Sequence, residues 1–240
     1  MAIHRVKLKS RREIAEGTMA FHFEKPPGFA FKAGQALAWT LIDPPETDDE
    51  GGVRNFSIAS APVEPDLMIA TRMRDTAFKR VLKTMPLGTE VRIAGPFGSL
   101  TLRNNAARPA VFLAGGIGIT PFRSMLRQAA EQKLPHHIFL FYSNRRPEDA
   151  AFLEELEELE KENSNYKFIG TMTEMAGSNR VWRGETGFIN QEMLAKYIGE
   201  LAEPIYYIAG PPEMVEAMEQ KLSDAGVNSD DVRSEEFAGY

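Results

Sequence analysis

The sequence predicts a two-domain protein in which an antiparallel β-barrel is followed by an α/β domain with a parallel sheet. Residues 1 to about 103 contain short β-prone segments separated by turns that carry proline or glycine. After Arg108 the pattern changes, and apolar runs alternate with amphipathic helical stretches. The polar segment 104–108 separates the two patterns, so we predict domains at 1–104 and 105–240.

In the first half, β-prone segments predict the strands and one amphipathic stretch predicts a helix. Two short strands are expected within residues 5–26, with a turn at Gly17 and an end at Pro26. Further strands are predicted at Ala36–Leu41, Asn55–Ala59, Leu67–Met73 and Glu90–Ala94, and a helix at Ala77–Thr84. Several short strands at this spacing are typical of a small antiparallel barrel.

In the second half, apolar runs predict strands and apolar stripes predict the helices between them. The runs are VFLA, IFLFY, FIGTM and IYYIA. The stripes begin at Phe122, Phe152 and Met214, and Gly226 is a C-cap signal for the last of these helices. A parallel sheet covered by helices on both faces follows. Ligands of such sheets bind beyond the carboxyl ends of the strands.

Composition excludes several classes of function. The net charge of −6 argues against nucleic acid as a partner. No apolar run approaches a membrane span, and the N-terminus has no apolar core of a signal peptide, so a cytoplasmic location is expected. The absence of cysteine excludes disulfides and thiolate chemistry. The four histidines lack metal-ligand spacing, and no metal site is predicted.

The stretch VFLAGGIGITP, residues 111–121, predicts a phosphate-binding turn. Gly115, Gly116 and Gly118 allow positive φ angles and the close approach of a ligand. Thr120 is the expected N-cap of the next helix, and Pro121 its expected first residue. Backbone N–H groups and the helix dipole would then point at one anion such as a pyrophosphate. The alternative is a tight strand-to-helix turn without a ligand.

Three other segments carry candidate binding residues. Arg54 could bind a phosphate, Phe56 could lie against a flat heterocycle, and the Ser57 hydroxyl could bond a ring nitrogen. The alternative is a barrel strand with a core phenylalanine. The segment IAGPPEM, at 208–214, again leads from a strand into a proline-started helix. The acidic and aromatic end SEEFAGY, at 234–240, could dock into the interdomain groove, order in the core or fray.

In this order, these features resemble the ferredoxin–NADP reductase superfamily over essentially the whole chain. The family's motif R-x-[YF]-[ST] matches Arg54, Phe56 and Ser57. Its motif G-G-x-G-x-[ST]-P matches Gly115, Gly116, Gly118, Thr120 and Pro121. Its motif G-P-x-x-M matches Gly210, Pro211 and Met214. The resemblance implies a compact FAD-dependent NAD(P)H oxidoreductase without a fused iron–sulfur or haem domain. It would move hydride from nicotinamide C4 to flavin N5 and pass electrons to a separate acceptor such as ferredoxin or flavodoxin. The alternatives are a non-catalytic flavin-binding subunit of a larger complex and a nucleotide-binding module without flavin.

The resemblance also implies the residues of the flavin site. Arg54 would neutralise the flavin pyrophosphate, Phe56 would pack on the isoalloxazine, and Ser57 would bond near N5. Further flavin-binding residues are Thr71, Met73, Thr76, Ala77 and Phe78. FAD is favoured over FMN, but the stretch 75–78 lacks the Gly-x-x-Ser pattern of relatives, so FMN stays an alternative.

On the nicotinamide side, the resemblance implies binding by both glycine motifs, with Ala209 where many relatives carry cysteine. Ser143, Arg145 and Arg146 could hold a 2′-phosphate, which favours NADPH slightly over NADH. The alternative is that these arginines are solvated or pair with Glu148 and Asp149. At the C-terminus, Tyr240 or Phe237 would cover the flavin face, and Glu236 would orient the nicotinamide. The catalytic candidates are therefore Ser57, Glu236 and Tyr240.

A basic cluster stands out in this acidic chain near the expected flavin. Its members are Arg72, Arg74, Lys79, Arg80 and Lys83. They could dock an acidic electron carrier, and association would then weaken with salt. The alternative is a solvated helix face together with phosphate ligands.

Overall fold

Two six-stranded sheets organise the chain in the computed structural model, which describes residues 2–237. The strands of the first sheet are β1 Ala2–Ala15, β2 Thr18–Glu24, β3 Ala36–Leu41, β4 Val53–Ser57, β5 Asp66–Arg72 and β6 Glu90–Phe97. They lie in the order β4-β3-β6-β1-β2-β5, and every pair is antiparallel. The Ala59 N–H donates to the Met68 carbonyl at 2.7 Å and links the segment after β4 to β5, the opposite edge strand. The predicted antiparallel, barrel-like domain is confirmed.

The interior of the first sheet is filled by alternate side chains of its strands. Phe21, Phe23, Leu37 and Trp39 are buried, and the rings of Phe23 and Trp39 lie 4.6 Å apart. One helix, α1 Ala77–Thr84, packs its apolar face onto this core. Burial of such large side chains is the main driving force for folding of the domain.

The predicted bounds of α1 agree with the structure, whereas those of strands β4 and β6 differ from it. The structure gives α1 the predicted bounds, and Thr76 caps its N-terminus. Strand β4 begins and ends two residues earlier than predicted, and the Ile58 N–H donates to the Gln35 carbonyl just beyond its end. Strand β6 continues to Phe97, three residues beyond the predicted end.

The second sheet is parallel, as predicted. Its strands are β7 Ala110–Gly115, β8 Ile138–Asn144, β9 Tyr166–Met172, β10 Glu185–Thr186, β11 Ile205–Gly210 and β12 Val232–Glu236, in the order β10-β9-β8-β7-β11-β12. Four helices cover it: α2 Ile119–Glu131, α3 Leu153–Glu162, α4 Gln191–Ile198 and α5 Pro212–Asp224. Side chains alternate along β7, so that Phe112 packs toward α2 and α3, whereas Val111 and Leu113 pack toward α4 and α5. The predicted boundary at 104/105 lies between the sheets and stays a prediction.

The start of α2 differs from the sequence prediction. A 3-10 turn at Gly116–Gly118 runs directly into the helix, so Gly118 is the N-cap and Ile119 the first helical residue. Thr120 is therefore inside the first turn, where its hydroxyl donates to the Ile117 carbonyl at 3.1 Å. The predicted N-cap role of Thr120 and first-residue role of Pro121 are wrong, because a turn of helix forms before them.

The two sheets are joined by side chains near the beginning of α2. The Arg123 guanidinium donates to the Ala59 carbonyl at 2.8 Å and to the Glu64 carboxylate at 2.9 Å, both outside the parallel sheet. It also contacts Glu155 of α3 at 2.7 Å. Beside it, the Ser124 hydroxyl donates to the Ser60 carbonyl at 2.7 Å. These bonds fix the segment that follows β4 against the helix that follows the glycine turn.

Among the helices that residues 2–237 form, none is long and apolar enough to cross a membrane.

Candidate active site at the junction of the two sheets

The predicted flavin-binding residues of β4 and α1 lie together. Arg54 and Phe56 alternate along β4 and so share one face of the strand. Both reach the ring of Phe78, with 5.9 Å between the Phe56 and Phe78 centroids and 5.4 Å from the guanidinium carbon of Arg54 to the Phe78 centroid. The structure thus gathers a cation and two aromatic rings at the N-terminus of α1, where Thr76 and Ala77 lie.

A carboxylate bridges the cation and the helix. Asp48, in the loop between β3 and β4, accepts from Arg54 Nη2 at 3.1 Å and from the Ala77 N–H at 2.9 Å. Burial works toward a higher pKa for Asp48, but the bonds from Ala77 and Arg54 outweigh it and hold the pKa below its usual value. A negatively charged group is therefore already bound where the flavin phosphates are expected.

The other flavin-side residues lie at the ends of β4 and β5. Ser57 is buried, and within the described residues its hydroxyl has no hydrogen-bond partner. Buried hydroxyls are rarely left unpaired, so this one fits a ligand atom as its partner. Thr71 is buried near the end of β5, and Met73 follows that strand and packs against the barrel core. β5 contacts the 3-10 turn at 116–118, which brings the two candidate sites side by side.

The glycines of the turn are explained mainly by packing. Of the three, only Gly116 has a positive φ, +52°. A Cβ at Gly118 would lie 2.2 Å from the Ala209 carbonyl oxygen, and one at Gly115 would lie 2.3 Å from the Met214 sulfur. The expectation that positive φ explains these glycines holds for Gly116 alone. Close contact with β11 and α5 explains Gly118 and Gly115.

A cavity of about 730 Å³ opens at the carboxyl end of the parallel sheet. Six of the predicted nicotinamide-side residues line it: Gly115, Gly116, Ser143, Arg145, Pro211 and Met214. Arg72 and Arg74 reach it from the first sheet, and Lys221 and Phe188 complete the wall. The Phe188 side chain is 78% exposed, which is unusual for a phenylalanine. The cavity combines backbone turns, four cations and an aromatic face, a set suited to an anionic nucleotide.

Other predicted residues of the nicotinamide side do not line this cavity. Thr120, Pro121 and Gly118 are buried in the start of α2, and Gly210 is buried in β11. Arg146 bonds Asp149 at 2.9 Å and Glu16 at 3.0 Å. The hydrogen bond from Arg146 lowers the pKa of Asp149, as expected for a stable ion pair. The alternative interpretation of Arg146, pairing with Asp149, is what the structure contains.

The C-terminal segment forms β12, which pairs with β11 at the edge of the parallel sheet. The Phe237 N–H donates to the Gly210 carbonyl at 2.9 Å, so the chain leaves the sheet beside the IAGPPEM turn. Glu236 is exposed, whereas Glu235 is partly buried and burial raises its pKa. Phe237 is partly buried against the core shared by the two sheets. Tyr240 lies outside the described residues.

The basic cluster is divided between two places. Arg72 and Arg74 line the cavity. Arg80 instead pairs with Glu46 and Asp75, each at 2.5 Å. Burial, followed by the charges of Arg74 and Arg54, lowers the pKa of Lys79. The cluster therefore does not form one free basic surface.

Sequence reasoning missed several residues of the site. Asp48 lies in an acidic run before Arg54, and nothing in that run distinguishes it from its acidic neighbours. Arg72 and Arg74 were considered for a docking surface, although Arg72 ends β5, Arg74 follows it, and both line the cavity. Phe188 carried no motif at all.

Comparison with known proteins identifies the fold and the domain family of residues 112–220. Residues 112–220 match the model of the oxidoreductase NAD-binding domain family. The crystal structure of a ferredoxin NADP+ reductase from Neisseria gonorrhoeae with bound FAD and NADP has the same fold, with a TM-score of 0.79 and 22% identity, and covers 98% of both chains. The chain has the same two-domain fold as this reductase, and the predicted fold class is confirmed. The family match supports the predicted dinucleotide-binding role of the second half of the chain.

Relatives by sequence include reductase components of monooxygenases. The reductase component of propane 2-monooxygenase from Mycolicibacterium smegmatis is 29% identical over 89% of this chain and 61% of its own length. The reductase of glycine betaine monooxygenase from Chromohalobacter salexigens is 27% identical over 92% of this chain and 60% of its own length. The chain thus spans about three fifths of the length of these two relatives.

Proposed function

We propose that this chain is an NAD(P)H-dependent flavoprotein reductase that passes electrons to a separate acceptor protein. The observation that carries the proposal is the adjacency of two sites. The cluster of Arg54 and Phe56 on β4 with Phe78 on α1 belongs to the first sheet's domain. Arg72, at the end of β5 in the same sheet, lines the cavity at the parallel sheet. An enzyme that brings two cofactors together needs this arrangement.

FAD would occupy the first site. Arg54 and the Ala77 N–H would bind its phosphates, Phe56 and Phe78 would contact its ring system, and the unpaired Ser57 hydroxyl would bond a ring heteroatom. The residues fit the group because the carboxylate of Asp48 already stands where a phosphate would bind. When bound, the flavin would supply the redox chemistry that the protein's own side chains lack.

A nicotinamide dinucleotide would occupy the cavity. Arg72, Arg74, Arg145 and Lys221 would neutralise its phosphates, and exposed Phe188 offers a face for its adenine. NADPH is favoured slightly over NADH, because Arg145 and Ser143 remain at the cavity even though Arg146 is paired elsewhere. Phe237 would shield the junction from water, with Glu236 or partly buried Glu235 orienting the nicotinamide amide.

The acceptor would be a separate protein. Relatives named as reductase components of monooxygenases support an external oxygenase or ferredoxin-type acceptor, with flavodoxin as a further candidate. The basic residues Lys79 and Lys83 beside the flavin cluster remain available to an acidic partner, whereas Arg80 is already paired.

Equilibrium binding of FAD tests the proposal. The purified chain should bind one FAD, and Arg54→Gln should weaken binding roughly tenfold or more because a charge-assisted phosphate contact is lost. Arg92→Gln is the matched control, since Arg92 is an exposed arginine of the same sheet. Failure of the wild-type chain to bind FAD, or equal affinities for both variants and the wild type, would contradict the assignment of Arg54.

A further inference from the structure

The loop between β3 and β4 places three acidic residues on the cations of the candidate flavin site. Glu46 contacts Arg80 at 2.5 Å, Asp48 contacts Arg54 at 3.1 Å, and Glu50 contacts Arg54 at 2.7 Å. We call residues 43–52 the acidic loop. It brings negative charge to the place where the proposed function, on which this inference rests, puts the flavin phosphates.

Both terminal nitrogens of Arg54 are engaged by this loop and by the first residue of β4. Its Nη1 donates to the carbonyls of Glu50, Gly51 and Val53 at 3.0, 2.9 and 2.8 Å. Its Nη2 contacts the two loop carboxylates. A guanidinium has a fixed fork of donors, so a phosphate that takes the Nη2 donors of Arg54 must displace a carboxylate from them.

Asp48 also occupies the start of α1. Its second oxygen accepts the Ala77 N–H at 2.9 Å, one of the backbone donors that an α-helix leaves unpaired at its beginning. One carboxylate therefore satisfies both a cation and a helix N-terminus, which are the two groups that together attract a phosphate. The Asp48 carboxylate thus occupies the hydrogen-bond donors that a ligand phosphate would use.

We propose that Asp48 is an internal competitor for the flavin phosphates and sets the affinity of this site for phosphorylated flavins. Binding of FAD or FMN displaces the Asp48 carboxylate from Arg54 and the Ala77 N–H, and the exchange costs part of the phosphate's binding free energy. Riboflavin, which has no phosphate, makes no such exchange. The acidic loop thus weakens the binding of phosphorylated flavins alone and keeps them exchangeable.

Asp48→Asn is the test variant, because the amide keeps the shape and one acceptor but loses the charge. We expect it to bind FAD and FMN roughly five- to tenfold more tightly than the wild type, with riboflavin affinity unchanged. Glu46→Gln is the control, since Glu46 lies on the same loop and loses the same charge but contacts Arg80 instead. Its FAD affinity should stay within about twofold of the wild type.

Flavin fluorescence quenching gives the affinities, and inorganic pyrophosphate provides a second probe that needs no flavin. Stabilisation of the folded chain by pyrophosphate should appear at lower concentration in Asp48→Asn than in the wild type. Equal or weaker FAD binding by a folded Asp48→Asn would overturn the inference, because Asp48 would then support the site. If no variant bound any flavin, the proposed function would fail, and the pyrophosphate measurement would still decide whether Asp48 competes for an anion.

Discussion

Arg123 joins the two sheets, and its loss is expected to lower both stability and the rate of hydride transfer. Arg123 is 6% exposed, and its guanidinium bonds the Ala59 carbonyl, Glu64 and Glu155. Arg123→Met keeps the apolar stem but leaves a buried carbonyl unpaired and two carboxylates without their cation. Breaking a fully buried pair costs about 3–5 kcal/mol. Because the two glutamate side chains are 27% and 26% exposed, we expect about 2–4 kcal/mol.

Urea and thermal denaturation measure the loss of stability. For a chain of this size, the expected change corresponds to a fall in Tm of about 5–15 °C. A double-mutant cycle of Arg123→Met with Glu64→Gln should give a coupling free energy of about 1–3 kcal/mol. Arg127→Met is the control, because its contacts to Glu155 and Glu162 are longer, at 3.9 and 3.3 Å, and more exposed.

The functional readout separates positioning from simple destabilisation. Arg123 lies one helical turn after the glycine turn and is bonded to the segment after β4, so its loss shifts one candidate site relative to the other. We expect the rate of flavin reduction to fall about tenfold at a temperature where the variant is folded, with FAD affinity within about twofold. A destabilisation below about 1 kcal/mol together with an unchanged reduction rate would refute this account of Arg123.

Three further predictions follow from single contacts. Burial works toward a higher pKa for Glu64, but the bonds from Arg123 hold it below the usual value; its stabilising effect is therefore present above about pH 4.5 and is lost as the pH falls through the lowered pKa. Glu64→Gln should accordingly reduce the free energy of unfolding at pH 7 more than at pH 3, and equal losses would contradict the assignment. Gly118→Ala puts a Cβ 2.2 Å from a backbone carbonyl and should destabilise the chain by more than about 2 kcal/mol, whereas Gly177→Ala, with 3.6 Å to its nearest neighbour, should change stability by less than about 1 kcal/mol. In steady-state kinetics, Arg145→Ala should raise the KM for NADPH more than the KM for NADH, and Arg146→Ala should leave the ratio of the two KM values unchanged. The reverse pattern would mean that Arg146, and not Arg145, binds the 2′-phosphate.

Features with local causes were predictable from the sequence. Helix α1 and strand β3 have the predicted bounds, because Thr76 caps the helix and the short apolar run ALAWTL marks the strand. The parallel sheet follows from apolar runs between helical stripes. The cluster of Arg54 and Phe56 follows from their alternation on one strand and from the superfamily motif.

Features with distant causes were not predictable in this way. The Arg146 guanidinium bonds Glu16, which is 130 positions away in the sequence, and no local sequence pattern predicts that pair. The segment 232–236 forms strand β12 because its backbone pairs with β11 at the edge of the parallel sheet. The start of α2 depends on a 3-10 turn whose bonds form before Thr120, so the residue preference for capping was overridden. The position of Asp48 required the fold of a loop and a helix that are far apart in sequence.

Anaerobic rapid mixing of the FAD-loaded chain with NADPH or NADH tests the central claim most directly. The visible absorbance of the bound flavin should disappear at a rate that saturates with nucleotide concentration, and an added one-electron acceptor protein or dye should restore it. An absorbance that stays unchanged with both nucleotides would contradict the claim. The chain would then be a flavin-binding subunit or a nucleotide-binding module and not a reductase.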